Sequence, residues 1–253
     1  MEAVEMKSFT PSYYLPVTNT KSLDINGTSQ YLNTNYNSDD LMDGASFSVS
    51  AWIKLDDGRD SGYDTILGAE KTNHSTFYIA NSSAGKLVLY FQTGGSGTGA
   101  LSSYQTDAAV FPNGATDWFH VVSTVEYVGG GNTVSKIYVD GSEVAGTYLA
   151  GLRVTSASHA AWDSGDLDIF VGANNDDGSV ADELGGLIDE VSVFTTALSS
   201  TEVLNIYNSG TPTNLVGHPG LQLYYRFEDN ANDSTGTSNG TLVDSPTYSA
   251  TTP

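Results

Sequence analysis

The chain contains no cysteine. That excludes a disulfide framework and any thiolate metal site, and leaves packing alone to hold the fold. Basic residues are also few, nine against thirty acidic, for a formal charge of −21. The nine are scattered from Lys7 to Arg226, whereas nucleic-acid phosphate or an anionic membrane surface calls for a concentrated basic patch. No nucleic acid and no membrane are therefore expected as partners, and the surplus of carboxylates suits solubility or the binding of cations. No stretch is apolar for 18 residues, so no segment reads as a membrane span. Met1 to Pro16 lacks the basic and apolar runs of a signal peptide. Catalytic signatures are missing as well. There is no Gly-x-Ser-x-Gly nucleophile turn, and the glycine-rich runs 94–99 and 129–131 lack the Lys-Ser/Thr of a phosphate loop. The four histidines, His74, His120, His159 and His218, show no metal-ligand spacing.

What the chain does have is glycine, tyrosine and short alternating runs. Twenty-seven glycines, seven prolines and a single convincing helix over 253 residues read as many short strands joined by turns, in one all-β domain. Strands are expected near 22–26, 29–33, 46–55, 64–70, 75–81, 86–92, 117–127, 133–140, 142–149, 167–172, 187–194 and 221–227, with Asp140-Gly141 as a two-residue hairpin turn. The stretch from Gly186 to Tyr207 carries the most information. Leu187, Asp189, Val191 and Val193 alternate with Ile188, Glu190, Ser192 and Phe194, as a strand requires. The period then changes. Ser199 stands as an N-cap, Glu202 completes a capping box, and Leu198 and Val203 bracket the cap at hydrophobic-staple spacing, with Gly210 as the stop. Leu204 and Ile206 are expected on the buried face of this helix.

That segment resembles the Ile-Asp-Glu-Val and Ala-Leu-Ser-x-x-Glu ending of laminin-G-like, concanavalin A-like jelly-roll domains. Other matches follow in the family's order: Ser22 to Leu32, Phe47 to Ile53, Trp118 to Val122, Ile137 to Val144, and Leu223 to Gly236. The resemblance implies an all-β, two-sheet antiparallel jelly-roll sandwich with one short C-terminal helix. It divides the chain into an extended arm (1–20), the jelly-roll domain with its closing strand (21–228) and a polar tail (229–253).

Function is narrower ground, since one fold hosts many sites. Laminarinase-like glycoside hydrolases on this fold carry an acidic Glu-x-Asp-x-(x)-Glu strand, and this chain has no such pattern, so it is expected to be non-enzymatic. Asn174 to Gly178 fails as an EF-hand loop, because Ala173 and Leu184 would occupy ligand positions. The resemblance implies instead one structural calcium at Asp189, with Asn26 or Gly27 supplying a carbonyl. For a sugar or another outward ligand, the candidates are Trp162 and His159, with Asn174, Asn175 and Asp176 nearby in the acidic loops. Trp52 falls opposite the core stripe and is expected to be buried under a loop. Phe9, Tyr13 and Tyr14 make the N-terminal arm a candidate for docking on a partner, and a homo-oligomer is left open. Absent export signals and catalytic residues point to a virion structural or recognition protein, such as a tailed-phage decoration, fibre or tail component that contacts other virion subunits and host-surface glycans. The alternatives are a carbohydrate-binding or adhesion module of a bacterial surface protein and, more remotely, a glycoside hydrolase.

Overall fold

A computed structural model describes residues 12–42, 46–59, 61–71, 76–92, 101–128, 133–151 and 167–253. Among these residues the chain forms two largely antiparallel sheets packed face to face. The eight-stranded sheet runs β10 (Ser142–Val144), β9 (Thr133–Val139), β8 (Phe119–Tyr127), β3 (Phe47–Leu55), β15 (Gly185–Phe194), β1 (Ser22–Asn26) and β18 (Thr247–Ser249), with β16 (Leu221–Tyr225) also on β15. The ten-stranded sheet runs β11 (Gly146–Gly151), β7 (Leu101–Thr106), β6 (Leu87–Gln92), β5 (Thr76–Ser82), β4 (Tyr63–Glu70), β12 (Asp168–Val171), β2 (Tyr31–Asn37) and β17 (Thr241–Val243). A small hairpin of β13 (Asn174–Asp176) and β14 (Ser179–Ala181) lies beside β4. The jelly-roll sandwich expected from the sequence is therefore the fold.

Alternation builds the core. Phe47, Val49, Ala51, Ile53 and Leu55 on β3 face Phe77, Ile79, Leu87, Leu89 and Phe91 of the opposite sheet, and all are buried. A second apolar cluster lies on the outer face of the eight-stranded sheet. There Val122, Tyr138, Phe194 and Tyr224 are covered by Leu198, Leu215, and Val203 and Ile206 of helix α2 (Ser200–Tyr207). A short helix α1 (Ser38–Met42) follows β2. The capping box of α2 forms as expected, with Ser199 N donating to Glu202 Oε2 at 2.7 Å and Glu202 N to Ser199 Oγ at 3.3 Å. The helix ends earlier than Gly210, on Asn208 in the left-handed region (φ 44°).

Several expectations are corrected. Leu204 is 56% exposed, and the buried face of α2 is Val203 and Ile206. Trp52 is 4% exposed as expected, but its cover is the helix: it stacks with Tyr207 at 5.8 Å and meets His120 at 4.9 Å. The expected strand 142–149 breaks at Ala145, where the chain crosses from β10 in one sheet to β11 in the other. The perfect alternation of 187–194 is interrupted by a bulge between Asp189 and Ser192, with Glu190 in the left-handed region (φ 49°). Ile188 faces the core before it and Val191 and Val193 after it, so Asp189 and Glu190 are both buried.

The polar segment 229–253 is not a tail outside the domain. β17 extends the ten-stranded sheet at β2, and β18 extends the eight-stranded sheet at β1. The run between them and β16 is organised by the Asp233 carboxylate, which accepts from the backbone N–H groups of Tyr224, Thr235, Thr237 and Ser238 at 2.8–3.0 Å. Asn, Asp, Ser and Thr residues satisfy turn backbone here, which is why their abundance reads in the sequence as a polar tail. The end of the arm is also taken up inside the chain. Tyr14 Oη and His218 Nε2 hydrogen-bond at 2.9 Å, and the Tyr13 ring lies 5.1 Å from that of His218. Pro16 bridges Thr213, and Asn214 N donates to Leu15 O. Tyr13 and Tyr14 thus strap the chain to itself, which leaves them poor anchors for a partner. Phe9 lies outside the described residues.

Candidate functional site

The residues singled out for calcium do not meet. Along the β15 and β1 pair, Ile188 stands opposite Leu23 and Gly185 opposite Asn26. Asp189 is therefore four residues, about 13 Å, along β15 from the position facing Asn26. Asn26 Oδ1 is occupied in its own turn, accepting from Thr28 N and Ser29 N. Asp189 accepts from Asn19 Nδ2 at 2.8 Å and from Glu190 N at 2.8 Å. Burial pushes its carboxyl well above the usual range, and the neighbouring Glu190 charge adds to the shift. Burial likewise pushes Glu190 up to about 7, against the Tyr224 hydroxyl that donates to it and the Arg226 guanidinium 3.3 Å away. This is a buried polar knot, tied to the strap through Asn19 and Thr18. Among the described residues no three His, Asp or Glu side chains stand together as metal ligands.

Trp162 and His159 lie outside the described residues. Asn174, Asn175 and Asp176 form β13 rather than an open loop, turned by Asp177 and Gly178, both at positive φ (52° and 87°). That Asp-Gly dipeptide is the same hairpin signal as Asp140-Gly141, and it could have been read from the sequence. Asn175 is structural: its amide donates to Asp168 O at 2.7 Å and its Oδ1 accepts from Gly178 N at 3.0 Å. Asn174 is placed differently. It leads a cross-strand row on the outer face of the ten-stranded sheet.

That row runs Asn174, Gly68, Tyr78, Tyr90, Ser103 across β13, β4, β5, β6 and β7. Residues directly opposite one another share a face, while the alternate residues Leu67, Ala69, Phe77, Ile79, Leu89 and Phe91 point into the core. Tyr78 and Tyr90 lie parallel, 4.9 Å apart with an interplanar angle of 3°, and Tyr63 joins them at 6.1 Å from Tyr78. The pair is flanked by the two small residues Gly68 and Ser103. Gly68 is required: a Cβ there would come within 2.7 Å of Asn174 Oδ1 and 2.9 Å of Tyr78 Cβ. One row further, Asp176 stands opposite Glu70. Asn174 Nδ2 donates to Glu70 Oε2 at 3.0 Å, and Asn174 Oδ1, buried, has no hydrogen-bond partner among the described residues.

Carboxylates dominate the electrostatics of this face. Partial burial raises the Glu70 carboxyl, opposed by the Asn174 hydrogen bond and reinforced by the charges of Asp176, Asp182 and Asp177. Burial raises Tyr78 too, with Glu70 and Asp182 contributing. At Tyr63, which is 41% exposed, the face opens into a polar cleft of about 190 Å³ lined by Gly27, Ser61, Gly62, Asp64, Asp182 and Glu183. Gly27 thus belongs to this rim and not to Asp189. A larger cleft of about 340 Å³ between Thr106 to Val110 and Val139 to Ala145 is walled mainly by alanine and valine. Its one carboxylate, Asp107, already accepts from Thr147 Oγ1 at 2.6 Å, so it offers little with which to orient a polar ligand. Sequence reasoning missed the tyrosine row because Tyr78 and Tyr90 are twelve residues apart. Only the pairing of β5 with β6 brings them together.

A family model described as the concanavalin A-like lectin/glucanases superfamily, of laminin-G type, matches residues 26–204. Among solved structures, a Bacteroides ovatus protein designated as carbohydrate-binding superposes with a TM-score of 0.59 at 21% identity, covering 92% of this chain; the chain spans 60% of that protein's length. The CBM40 of a Ruminococcus gnavus IT-sialidase superposes at 0.55 with 14% identity over 76% of this chain and 99% of its own. Part of the NanB sialidase of Streptococcus pneumoniae, 28% of its chain, superposes at 0.52 with 20% identity over 79% of this one. At such identities the likeness is one of fold. No curated protein matches the chain.

Proposed function

From the premise that the chain belongs to the concanavalin A-like lectin/glucanase superfamily, we propose that it is a non-catalytic carbohydrate-binding module, acting outside a cell or on a surface. The observation that carries this reading is the parallel pair of Tyr78 and Tyr90 on the outer sheet face, beside Tyr63, Asn174, Glu70 and Asp182. Sugars present apolar C–H faces and a rim of hydroxyls. Aromatic rings take the first, and carboxylates and amides orient the second. The solved structures above are consistent with this reading, since they include a protein designated as carbohydrate-binding and a sialidase CBM40. The virion reading gains no such support, and two of the arm residues offered for assembly, Tyr13 and Tyr14, pack on His218 of the same chain.

The test is a glycan panel with wild type, Tyr78→Ala, Tyr90→Ala and the distant Leu204→Ala. The tyrosine variants should lose affinity at least tenfold for every glycan bound, and Leu204→Ala should bind as wild type. Binding unchanged in both tyrosine variants would move the site elsewhere, and release of sugar from any bound polysaccharide would make the protein an enzyme.

A further inference from the structure

Resting on that reading, we infer that the sheet-face site selects an oligosaccharide carrying protonated amines, in preference to a neutral sugar and against an anionic one. Four carboxylates gather at the Asn174 end of the row: Asp176 stands opposite Glu70, Asp177 and Asp182 act on Glu70, and Glu70 and Asp182 act on Tyr78. Among the described residues one cation stands with them, Lys71, with Nζ 3.7 Å from Asp177 Oδ1. A ligand carboxylate would enter a field of its own sign and find Lys71 already engaged. An ammonium would be attracted by the carboxylates and also by the outer faces of the stacked tyrosine pair, the inner faces being turned to each other.

A metal ion is the competing cation, and the geometry disfavours it. No three carboxylates among the described residues come together as ligands for one ion, so the charge is spread along the face rather than focused. Spread charge matches amines repeated along a saccharide chain. A hydrogen-bond argument points the same way. The Asn174 amide is turned with one of its two N–H donors on Glu70 and its acceptor unpartnered beside Gly68 and Tyr78, where it lacks a donor. An ammonium brings three donors and no acceptor. The polar cleft at Tyr63, about 190 Å³, continues the negative rim with Asp64, Asp182 and Glu183.

Three probes separate the possibilities: a fully deacetylated glucosamine hexasaccharide, its N-acetylated counterpart with the same backbone, and sialyllactose. Calorimetry on the full chain at low salt, with a chelator present, should show the deacetylated hexamer binding at least tenfold more tightly than the acetylated one, with no binding of sialyllactose. The preference should shrink in 0.5 M salt as the charges are screened. The double variant Glu70→Gln, Asp182→Asn removes two of thirty acidic residues and should abolish the preference, whereas Tyr78→Ala should weaken both hexamers. A preference that survives in the double variant is bulk attraction to an acidic protein and overturns the inference. Equal binding of the two hexamers, binding of sialyllactose, or binding that needs calcium also overturns it while leaving glycan binding intact. Binding of no glycan at all defeats the underlying reading as well.

Discussion

Asp233→Ala should show whether the C-terminal segment is part of the fold. The carboxylate takes four backbone N–H groups, those of Tyr224, Thr235, Thr237 and Ser238. Tyr224 is buried in β16, so its amide would be left without a partner at a cost of about 2 kcal/mol. The other three lie in a part-exposed turn where water substitutes, and together they add about 1 kcal/mol. With about 2.1 cal/mol/K of unfolding entropy per residue over 253 residues, a loss of about 3 kcal/mol lowers the melting midpoint by roughly 6 °C. Asp233→Asn keeps one acceptor but turns an NH₂ toward donors, and should fall between wild type and alanine. The assay is calorimetry or circular dichroism on all three proteins, with urea unfolding as the second measure. If the alanine protein melts within about 1 °C of wild type, residues 229–253 contribute nothing to global stability, and their strands are ornamental additions to the sheet edges.

Helix α2 offers a paired comparison: Ile206→Asp strands a charge in the outer cluster and should cost about 3 kcal/mol or more, while Leu204→Asp, on the exposed side, should change stability by about 0.5 kcal/mol or less in the same thermal melts. The buried acids set a pH dependence. Because folding raises the Glu190 carboxyl from 4.5 to about 7, and Asp189 in the same direction, their contribution is fully present below the unfolded value and is lost as pH rises through the folded one. The melting midpoint should therefore be higher at pH 5 than at pH 8, and Glu190→Gln should flatten that slope; a midpoint that rises between those values would contradict it. Gly68→Val should abolish glycan binding with little loss of β-structure by circular dichroism, since any side chain there collides with Asn174 and Tyr78.

The sequence by itself determined the class of fold, most of the strands, the helix and its cap. Those signals are local. The capping box needs only Ser199 and Glu202, the Asp140-Gly141 turn needs two neighbours, and the core stripe of β3 is written in alternate residues. A one-residue bulge is enough to defeat such reasoning, because it flips every later side chain to the other face; this is why Asp189 and Glu190 lie buried together although strict alternation assigns them to opposite faces. What only the tertiary structure decided is the pairing between distant segments. Strand register separates Asp189 from Asn26 and Gly27 and carries the polar C-terminus into both sheets, and a long-range side-chain contact ties Tyr14 to His218. The same pairing sets Tyr78 beside Tyr90 and Asn174 across Gly68, a surface no contiguous motif records. The physical reason is that a site on a sheet face is assembled across strands, at about 4.8 Å per neighbour, from residues whose order along the chain carries no trace of their order across the sheet.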